Sequence, residues 1–340
     1  MSKTPRFTVE IYHDLAPYLA GISSKEFFLD ADKLIKAWKV TTEWTLDTFH
    51  GRLKPRTPTA APNSYGHLIC LGAPLHYSES AEPNITPAAQ SLDEAIERLE
   101  AARGIDFTLC PIFQQYVDLS ARVKEAFPEA PLLAGLGLEG PITSAALYRG
   151  EGFYMDVIDE PEKSARYIAL MTDSIVDFKR QLNRFCGEPE VSTTGAGLAD
   201  DLASMLSPWM WDDLVIPYWK RYFQGISSGP ARFLHCEALR PEQLCYLPKA
   251  GVTHYQPSVS PQLTLADMRD KNSLPFDWLL YAYRITEMDD EALENWIAEA
   301  VSYGPTNIRT QFGAYAVSIG KIDRIKAFLD IAQKYENTKE

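Results

Sequence analysis

The sequence predicts an α/β fold made of a single (β/α)8 barrel with a helical N-terminal extension. Three observations carry the prediction: a length of 340 residues, short apolar runs that alternate with amphipathic stretches, and polar residues that directly follow those runs. Alternation of strand and helix is typical of a parallel sheet with crossover helices, and seven or eight units favour closure into a barrel. We expect the extension over residues 1–60 and the catalytic barrel over residues 61–340.

The first part of the chain carries helical signals. Ser24-Lys-Glu-Phe-Phe has the form of a helix start, and Ala31 to Trp38 continues with apolar residues at helical spacing, so residues 1–55 are predicted to be helical. Prolines at 55, 58 and 62 predict a loop over residues 55–64. Ser91-Leu-Asp-Glu94 has the form of a capping box that opens a further helix.

The remainder of the chain supplies the alternation. The predicted strands are the apolar runs at 106–112, 131–136, 190–194, 231–235, 251–256, 276–281 and 306–311. The clearest predicted helices are 161–184, 210–224, 289–302 and 321–335. Near-continuous apolar runs are typical of parallel strands buried on both faces. The glycines at 135, 137 and 140 match the spacing of a dinucleotide-binding turn, but Pro141 follows at once and makes that reading weak.

Composition narrows the class of function. The formal net charge is −13, from 33 basic and 46 acidic residues, which argues against a nucleic-acid partner. No apolar run approaches the ~20 residues that span a bilayer, and the N-terminus has no apolar signal region. Five widely separated cysteines are typical of reduced thiols, so a cytoplasmic location is expected.

The segment Arg232-Phe-Leu-His-Cys-Glu237 is the strongest functional signal. Its apolar run leads into three side chains that bind metals or carry protons, and catalytic groups of such barrels lie at strand ends. Side chains alternate along a strand, so His235 and Glu237 share one side and Cys236 points to the other. We therefore predict His235 and Glu237 as the catalytic pair and Cys236 as a packed thiol.

Further candidates lie near other predicted strand ends. Asp201 is predicted as a catalytic residue, and His254 as a third metal ligand beside His235 and Glu237. The predicted substrate-binding residues are Asp200, Glu139, Tyr65 and Asn63. Structural roles stay open for several of them: the aspartates suit a helix cap, Glu139 lies in a tight turn, and His254 suits a structural imidazole.

Three segments, in order, carry a family resemblance: Gly140-Pro-Ile-Thr-Ser-Ala-Ala-Leu-Tyr-Arg-Gly150, Asp200-Asp201 with Ser207-Pro208 and Val215-Ile-Pro-Tyr218, and His235-Cys-Glu with Lys249-Ala-Gly-Val252. They resemble the uroporphyrinogen decarboxylase superfamily over roughly residues 60–335. The resemblance implies a (β/α)8 barrel and one of two chemistries. These are porphyrinogen decarboxylation without metal, and zinc-assisted methyl transfer that involves corrinoid proteins, thiols or folate-type carriers.

The decarboxylase branch is disfavoured by three departures from its pattern. The Met-Arg-Gln-Ala-Gly-Arg segment that grips substrate carboxylates is missing. Asn63 stands where the decarboxylases have an aspartate nine residues before the Gly of a Leu-Gly pair. Gly313-Ala-Tyr-Ala316 replaces their Gly-His-Gly turn.

The methyltransferase branch is favoured with a changed ligand set. The resemblance implies a His-x-Cys pair and a distant Cys as zinc ligands. Here Glu237 takes the second position, and Ala314 or Tyr315 occupies the distant turn. A harder imidazole and carboxylate site suits an oxygen substrate better than a thiol. We therefore expect methyl transfer from an O-methyl compound, such as an aromatic methyl ether, to the cobalt of a corrinoid protein, assisted by zinc or by an acid.

The partners follow from that expectation. The chain has no Asp-x-His-x-x-Gly pattern, so the corrinoid would be carried by a partner protein, and a homodimer is also allowed. The alternatives left open are methyl transfer from a methylcorrinoid to a thiol or folate, porphyrinogen decarboxylation, and a barrel that binds without catalysis. Glu237 or Asp201 acting as a metal-independent general acid stays open as well.

Overall fold

The computed structural model describes residues 4–337 of an α/β protein with parallel sheets. Its strands are β1 (Arg6–Ile11), β2 (Leu75–His76), β3 (Asn84–Ile85), β4 (Gly195–Ala199), β5 (Ala231–His235), β6 (His254–Gln256), β7 (Asp277–Leu280) and β8 (Asn307–Phe312). Its α-helices are α1 (Leu15–Ala20), α2 (Ser24–Leu29), α3 (Ala31–Phe49), α4 (Gly66–Cys70), α5 (Leu92–Ala101), α6 (Pro111–Ala126), α7 (Pro141–Arg149), α8 (Phe153–Asp159), α9 (Pro161–Phe185), α10 (Trp211–Leu214), α11 (Ile216–Ile226), α12 (Leu265–Asp270), α13 (Ala282–Glu287), α14 (Asp290–Ser302), α15 (Ala314–Ser318) and α16 (Ile322–Asn337). Short 3-10 helices cover Phe107–Leu109, Asp201–Met205, Pro208–Met210 and Pro241–Tyr246.

The parallel strands form two three-stranded sheets. Their orders are β1-β8-β7 and β4-β5-β6, while β2 and β3 form a separate antiparallel pair. A parallel bridge between Tyr255 and Phe276 links β6 to the start of β7. In the second sheet Ala199 pairs with His235, and His235 pairs with Gln256, so these three residues lie side by side.

Two extended segments continue the second sheet beyond β4. The backbone N–H of Gly140 donates to the Ala199 carbonyl at 2.6 Å, and Leu136 forms a parallel bridge with Asn63. No ladder is described between β1 and the segment at Asn63. There the Arg56 guanidinium donates to the Ile11 carbonyl at 3.0 Å. The α/β class with parallel strands is therefore confirmed, whereas the described ladders do not close into one barrel.

The helices cover the sheets because each buries an apolar stripe. In α9, Pro161 occupies the first turn, and the buried side chains recur at helical spacing, as in Ile168, Met171, Ile175 and Phe178. A smaller core joins the N-terminal helices to α6 through Phe27, Phe28, Leu34, Trp38 and Val123. No helix in the described part of the chain is long and apolar enough to cross a membrane.

The N-terminal helices begin at the predicted signals. Ser23 and Glu26 form a reciprocal capping box at α2, and the Asp30 carboxylate accepts from the first turn of α3. The prediction of helix for residues 1–55 is wrong at Arg6–Ile11. This segment forms β1 beside β8, and its alternate residues pack on the sheet. Residues 1–3 of the predicted extension lie outside the described residues.

The strand predictions for the later part of the chain are confirmed at β5, β6, β7 and β8. The strand predicted at 190–194 begins instead at Gly195. Its residues are mostly glycine and alanine, which do not give the apolar run that predicts a strand. The run at 106–112 is not a strand, since the Asp106 carboxylate caps a 3-10 turn and Pro111 starts α6. In the run at 131–136, Leu136 forms a single bridge.

Candidate active site

The His235 imidazole lies at the carboxyl end of β5 and is held from the neighbouring strand. Its Nδ1 lies 2.7 Å from the Gln256 side-chain oxygen. An amide oxygen only accepts hydrogen bonds, so Nδ1 carries the ring proton and donates it. The Nε2 atom is left free of that contact, and Gln256 fixes the direction in which it points.

Two carboxylates converge on that free nitrogen. Asp201 Oδ1 lies 3.6 Å and Glu237 Oε1 lies 3.9 Å from His235 Nε2. The Glu237 backbone N–H donates to Asp201 Oδ1 at 2.7 Å, which ties the two acidic residues together. Burial raises the pKa of Asp201, and the nearby His235 opposes that rise. The structure thus brings together the three residues that the sequence nominated as catalytic.

Asp200 is held by hydrogen bonds within the fold, and its predicted role in substrate binding stays a prediction. The residue is fully buried. Its carboxylate accepts from the backbone N–H groups of Ile142 and Thr143, at 3.2 and 2.6 Å, and from Trp219 Nε1 at 2.6 Å. It therefore caps the N-terminus of α7, some sixty residues earlier in the chain. Burial raises the pKa of Asp200 to about 6 against the effect of these donors.

Glu139 reaches the same layer as His235. The bond from Gly140 N to the Ala199 carbonyl sets Gly140 opposite Asp200 and Glu139 opposite Ala199. A Cβ on Gly140 would lie 2.5 Å from the Asp200 side chain, so only glycine fits there. Burial raises the pKa of the half-buried Glu139 to about 8, and the charges of Asp201 and Asp200 add to the rise.

Cys236 is a packed thiol. It is fully buried, and its Sγ donates to the Asp200 carbonyl at 3.2 Å. Burial raises the pKa of this thiol well above its usual range, and the surrounding carboxylates act in the same direction. A thiol in that state is a poor nucleophile and a poor metal ligand.

His254 does not join the predicted metal ligands. It is the first residue of β6 and pairs with Phe233, two positions before His235. Its Nε2 lies 2.9 Å from Asp277 Oδ1, and its ring stacks on Phe233 with centroids 5.1 Å apart. The described residues contain no group of three or more His, Cys, Asp or Glu side chains that could hold a metal ion. The structure therefore does not bring the predicted set of His235, Glu237 and His254 together, and we derive no step through zinc.

A cavity of about 850 Å³ runs along β4 and reaches His235. Gly197 and Ala199 leave room for it, since a Cβ on Gly197 would meet nothing within 4 Å and Ala199 contributes only a methyl group. Barrels with packed interiors fill this space with branched residues. Here the volume is instead in the range of pockets that bind small ligands.

Tyr65 and Asn63 line a second cavity of about 220 Å³ together with Tyr12. Asn63 is buried, and its side-chain oxygen accepts from the Tyr65 backbone N–H at 2.9 Å. Burial raises the pKa of the Tyr65 hydroxyl, and the charge of Glu139 contributes to the rise. Their predicted contact with substrate stays a prediction.

Several polar residues of the interior were not found from the sequence. Gln256 orients His235. Side chains alternate along a strand, so Gln256, two residues after His254, would be predicted to share a face with His254. Arg309 bonds Glu10 at 2.6 Å and lies 3.8 Å from Asp277. The charged residues of this network interrupt predicted apolar runs in β7 and β8, which is a signal that polar groups face the interior.

Comparisons with known proteins show the family of this chain and a similar fold. A family model described as uroporphyrinogen decarboxylase (URO-D) matches residues 66–269, which is more than half of the chain. A methyltransferase from Methanosarcina mazei has a similar structure, with a TM-score of 0.69 and 12% sequence identity. The similarity covers 99% of this chain and 95% of that chain, and at this identity it shows the fold alone. No curated protein matches the sequence.

Proposed function

We propose that this chain, which belongs to the uroporphyrinogen decarboxylase family, is a methyltransferase of that family. It takes a methyl group from an O-methyl compound, an aromatic methyl ether being the donor we expect, and passes it to the Co(I) centre of a corrinoid protein. The observation that carries the proposal is the convergence of His235, Asp201 and Glu237 beside the larger cavity. The fold similarity to a protein described as a methyltransferase supports it.

We also propose that the parallel segments belong to one eight-stranded barrel. Going around it, β1 would be followed by the segments at Asn63 and Leu136–Glu139, then by β4, β5, β6, β7 and β8. Bridges and ladders support six of the eight neighbouring pairs. The Leu136–Glu139 segment contacts β4 through the hydrogen bond from Gly140 N to the Ala199 carbonyl, and Arg56 makes the contact between β1 and the segment at Asn63. In this arrangement the site lies at the carboxyl ends of the strands, where barrels of this type bind substrates.

The site supplies what cleavage of a methyl ether requires. As the carbon–oxygen bond breaks, negative charge grows on the oxygen, and a proton donor lowers the barrier. The imidazole and the two carboxylates can hold and move such a proton, since Gln256 keeps His235 Nε2 directed at Asp201 and Glu237.

The charges around the site disfavour a polycarboxylate such as a porphyrinogen. The Asp201 and Glu237 carboxylates lie side by side at His235, and like charges would repel substrate carboxylates. Among the described residues that line the 850 Å³ cavity, Lys179 is the one cation. A neutral ether entering the site meets no such repulsion.

Exposed apolar side chains that follow three of the strands support docking of a corrinoid protein. Met205 and Trp209 follow β4 and are 60% and 71% exposed, while Tyr283 follows β7 and Tyr315 follows β8. Large apolar side chains grouped on one side of a soluble protein are typical of interaction surfaces. A corrinoid domain placed there would bring its cobalt toward the strand ends.

The test is incubation with a reduced corrinoid protein and a series of methoxylated benzenes. We expect the methyl-cobalt absorbance to appear, and we expect the loss of that signal in H235A and E237A. D212A, which removes an exposed ion pair with Lys249, is the matched control and should keep the activity. Absence of methyl-cobalt with every methoxylated donor would reject the proposal. Transfer only from methylcorrinoid to a thiol or folate would establish the alternative direction.

A further inference from the structure

We propose that Glu139 is the acid that protonates the departing oxygen during methyl transfer. The inference rests on the proposed function and deepens it, because it assigns proton donation to a carboxyl group outside the cluster of His235, Asp201 and Glu237. Three observations on the structure carry the argument: the register of Glu139, the small residue between Glu139 and His235, and the acidic neighbours of Glu139.

The register places Glu139 on the same face as His235. Glu139 lies opposite Ala199, and Ala199 pairs with His235, so the three residues occupy one layer across adjacent strands. Gly140 faces the buried Asp200, and side chains alternate along a strand, so Glu139 points to the opposite, interior side. The Ser144 hydroxyl donates to the Glu139 carbonyl at 3.0 Å and anchors this position.

The residue between the two candidates leaves room for a reacting atom. Neighbouring strands lie about 4.8 Å apart, so the backbones of Glu139 and His235 are separated by roughly 10 Å. Ala199 between them contributes a methyl group, and both Ala199 and His235 line the larger cavity. A methoxy oxygen in this gap would have the imidazole on one side and the Glu139 carboxyl group on the other.

The surroundings of Glu139 favour its protonated form. The titratable groups that act on Glu139 are Asp201 from the segment after β4, Tyr65 just before α4 and, from the opposite side of the strand, Asp200. A hydrogen bond with the Ser64 side chain opposes the rise in pKa. Burial and the two aspartates raise the pKa of Glu139 to about 8. At neutral pH the group therefore holds a proton that it can donate.

The proposed step conserves atoms and electrons. The Co(I) corrinoid donates an electron pair to the methyl carbon and becomes methyl-Co(III), while the methyl–oxygen bond breaks. The bonding pair stays on oxygen, and that oxygen takes the proton from the Glu139 carboxyl group to form a phenol. Glu139 is left as a carboxylate and takes up a proton from solvent before the next cycle.

The experiment compares two donors in wild type and E139Q. One donor is the methyl ether of an unactivated phenol, and the other is the methyl ether of a nitrophenol, whose oxygen departs without protonation. We expect E139Q to lower kcat for the first donor about 100-fold or more, within the range for general acids, and for the second donor less than 10-fold. E242Q, at an exposed glutamate in the Pro241–Tyr246 helix, is the control and should match wild type for both donors.

The pH profile supplies a second measurement. With Glu139 as the acid, the wild-type rate for the unactivated ether should fall as pH rises through about 8, and E139Q should lack that fall. Equal loss for both donors with an unchanged pH profile would reject the role of Glu139 while the methyltransferase activity of the wild type stands. No methyl-cobalt formation by the wild type would reject the proposed function itself.

Discussion

Replacement of Asp200 by alanine tests whether this residue holds the fold together or contacts substrate. The change leaves three buried donors without a partner: Ile142 N, Thr143 N and Trp219 Nε1. Each unsatisfied buried donor costs about 1–3 kcal/mol, so the gross loss is about 3–9 kcal/mol. Relief of the buried charge offsets part of it. A pKa of about 6 against an ordinary 3.8 corresponds to about 3 kcal/mol at pH 7.

The net expectation is therefore a loss of about 3 kcal/mol in the free energy of unfolding at pH 7. The sign with pH follows from the raised pKa of Asp200. Its contribution to stability is fully present below pH 4 and is lost as pH rises through about 6. The deficit of D200A should thus be larger at pH 5 than at pH 8, by about 1 kcal/mol.

The assay is urea unfolding followed by tryptophan fluorescence, since Trp219 contacts Asp200 directly. D212A serves as the control, because exposed ion pairs such as Asp212–Lys249 contribute about 0–1 kcal/mol. The reasoning fails if D200A unfolds within 0.5 kcal/mol of wild type at both pH values and yet loses methyl transfer, for Asp200 would then act on the substrate.

Three further outcomes are expected. Q256M should slow methyl transfer about 10- to 100-fold with the fold intact, because His235 Nδ1 loses its hydrogen-bond acceptor. Q256E should restore part of the rate. Equal rates in Q256M and wild type would show that the contact does not orient His235. In native protein a thiol reagent should label the exposed Cys245 and leave the buried Cys236 unlabelled until urea unfolds the chain, so early loss of Cys236 in a peptide map would contradict its burial. Dialysis against a strong chelator should change neither kcat nor the melting temperature, since the described residues contain no group of three His, Cys, Asp or Glu side chains placed so that they could hold a metal ion; a stoichiometric metal whose removal abolishes activity would overturn that expectation.

The catalytic candidates could be predicted because they obey local rules. His235 and Glu237 follow an apolar run, and β5 does form over that run. The same rule misplaced His254, because it is the first residue of β6 and so lies at the opposite end of its strand from the site. An apolar run in the sequence predicts a strand. It does not fix the first and last residues of that strand to better than a few positions.

Relations between distant segments could not be predicted. Asp200 and Asp201 are neighbours in sequence, yet one caps α7 and the other faces His235, and only the packing of α7 against the segment that follows β4 separates their roles. The strand β4 escaped prediction because glycine and alanine carry no apolar signal. The paired motifs at 140–150 and 200–201 were recognised by resemblance, and the hydrogen bonds of Asp200 now give them a physical link.

The short side chains of β4 make the stability of the whole chain responsive to what binds beside them. A scaffold that leaves about 850 Å³ unfilled forgoes the dispersion contacts that a packed interior would have supplied. A ligand that recovers those contacts, at a free concentration about a hundred times its dissociation constant, stabilises the folded form by about 2.7 kcal/mol. Thermal-shift screening of small aromatic compounds can therefore identify the ligand before any turnover is measured.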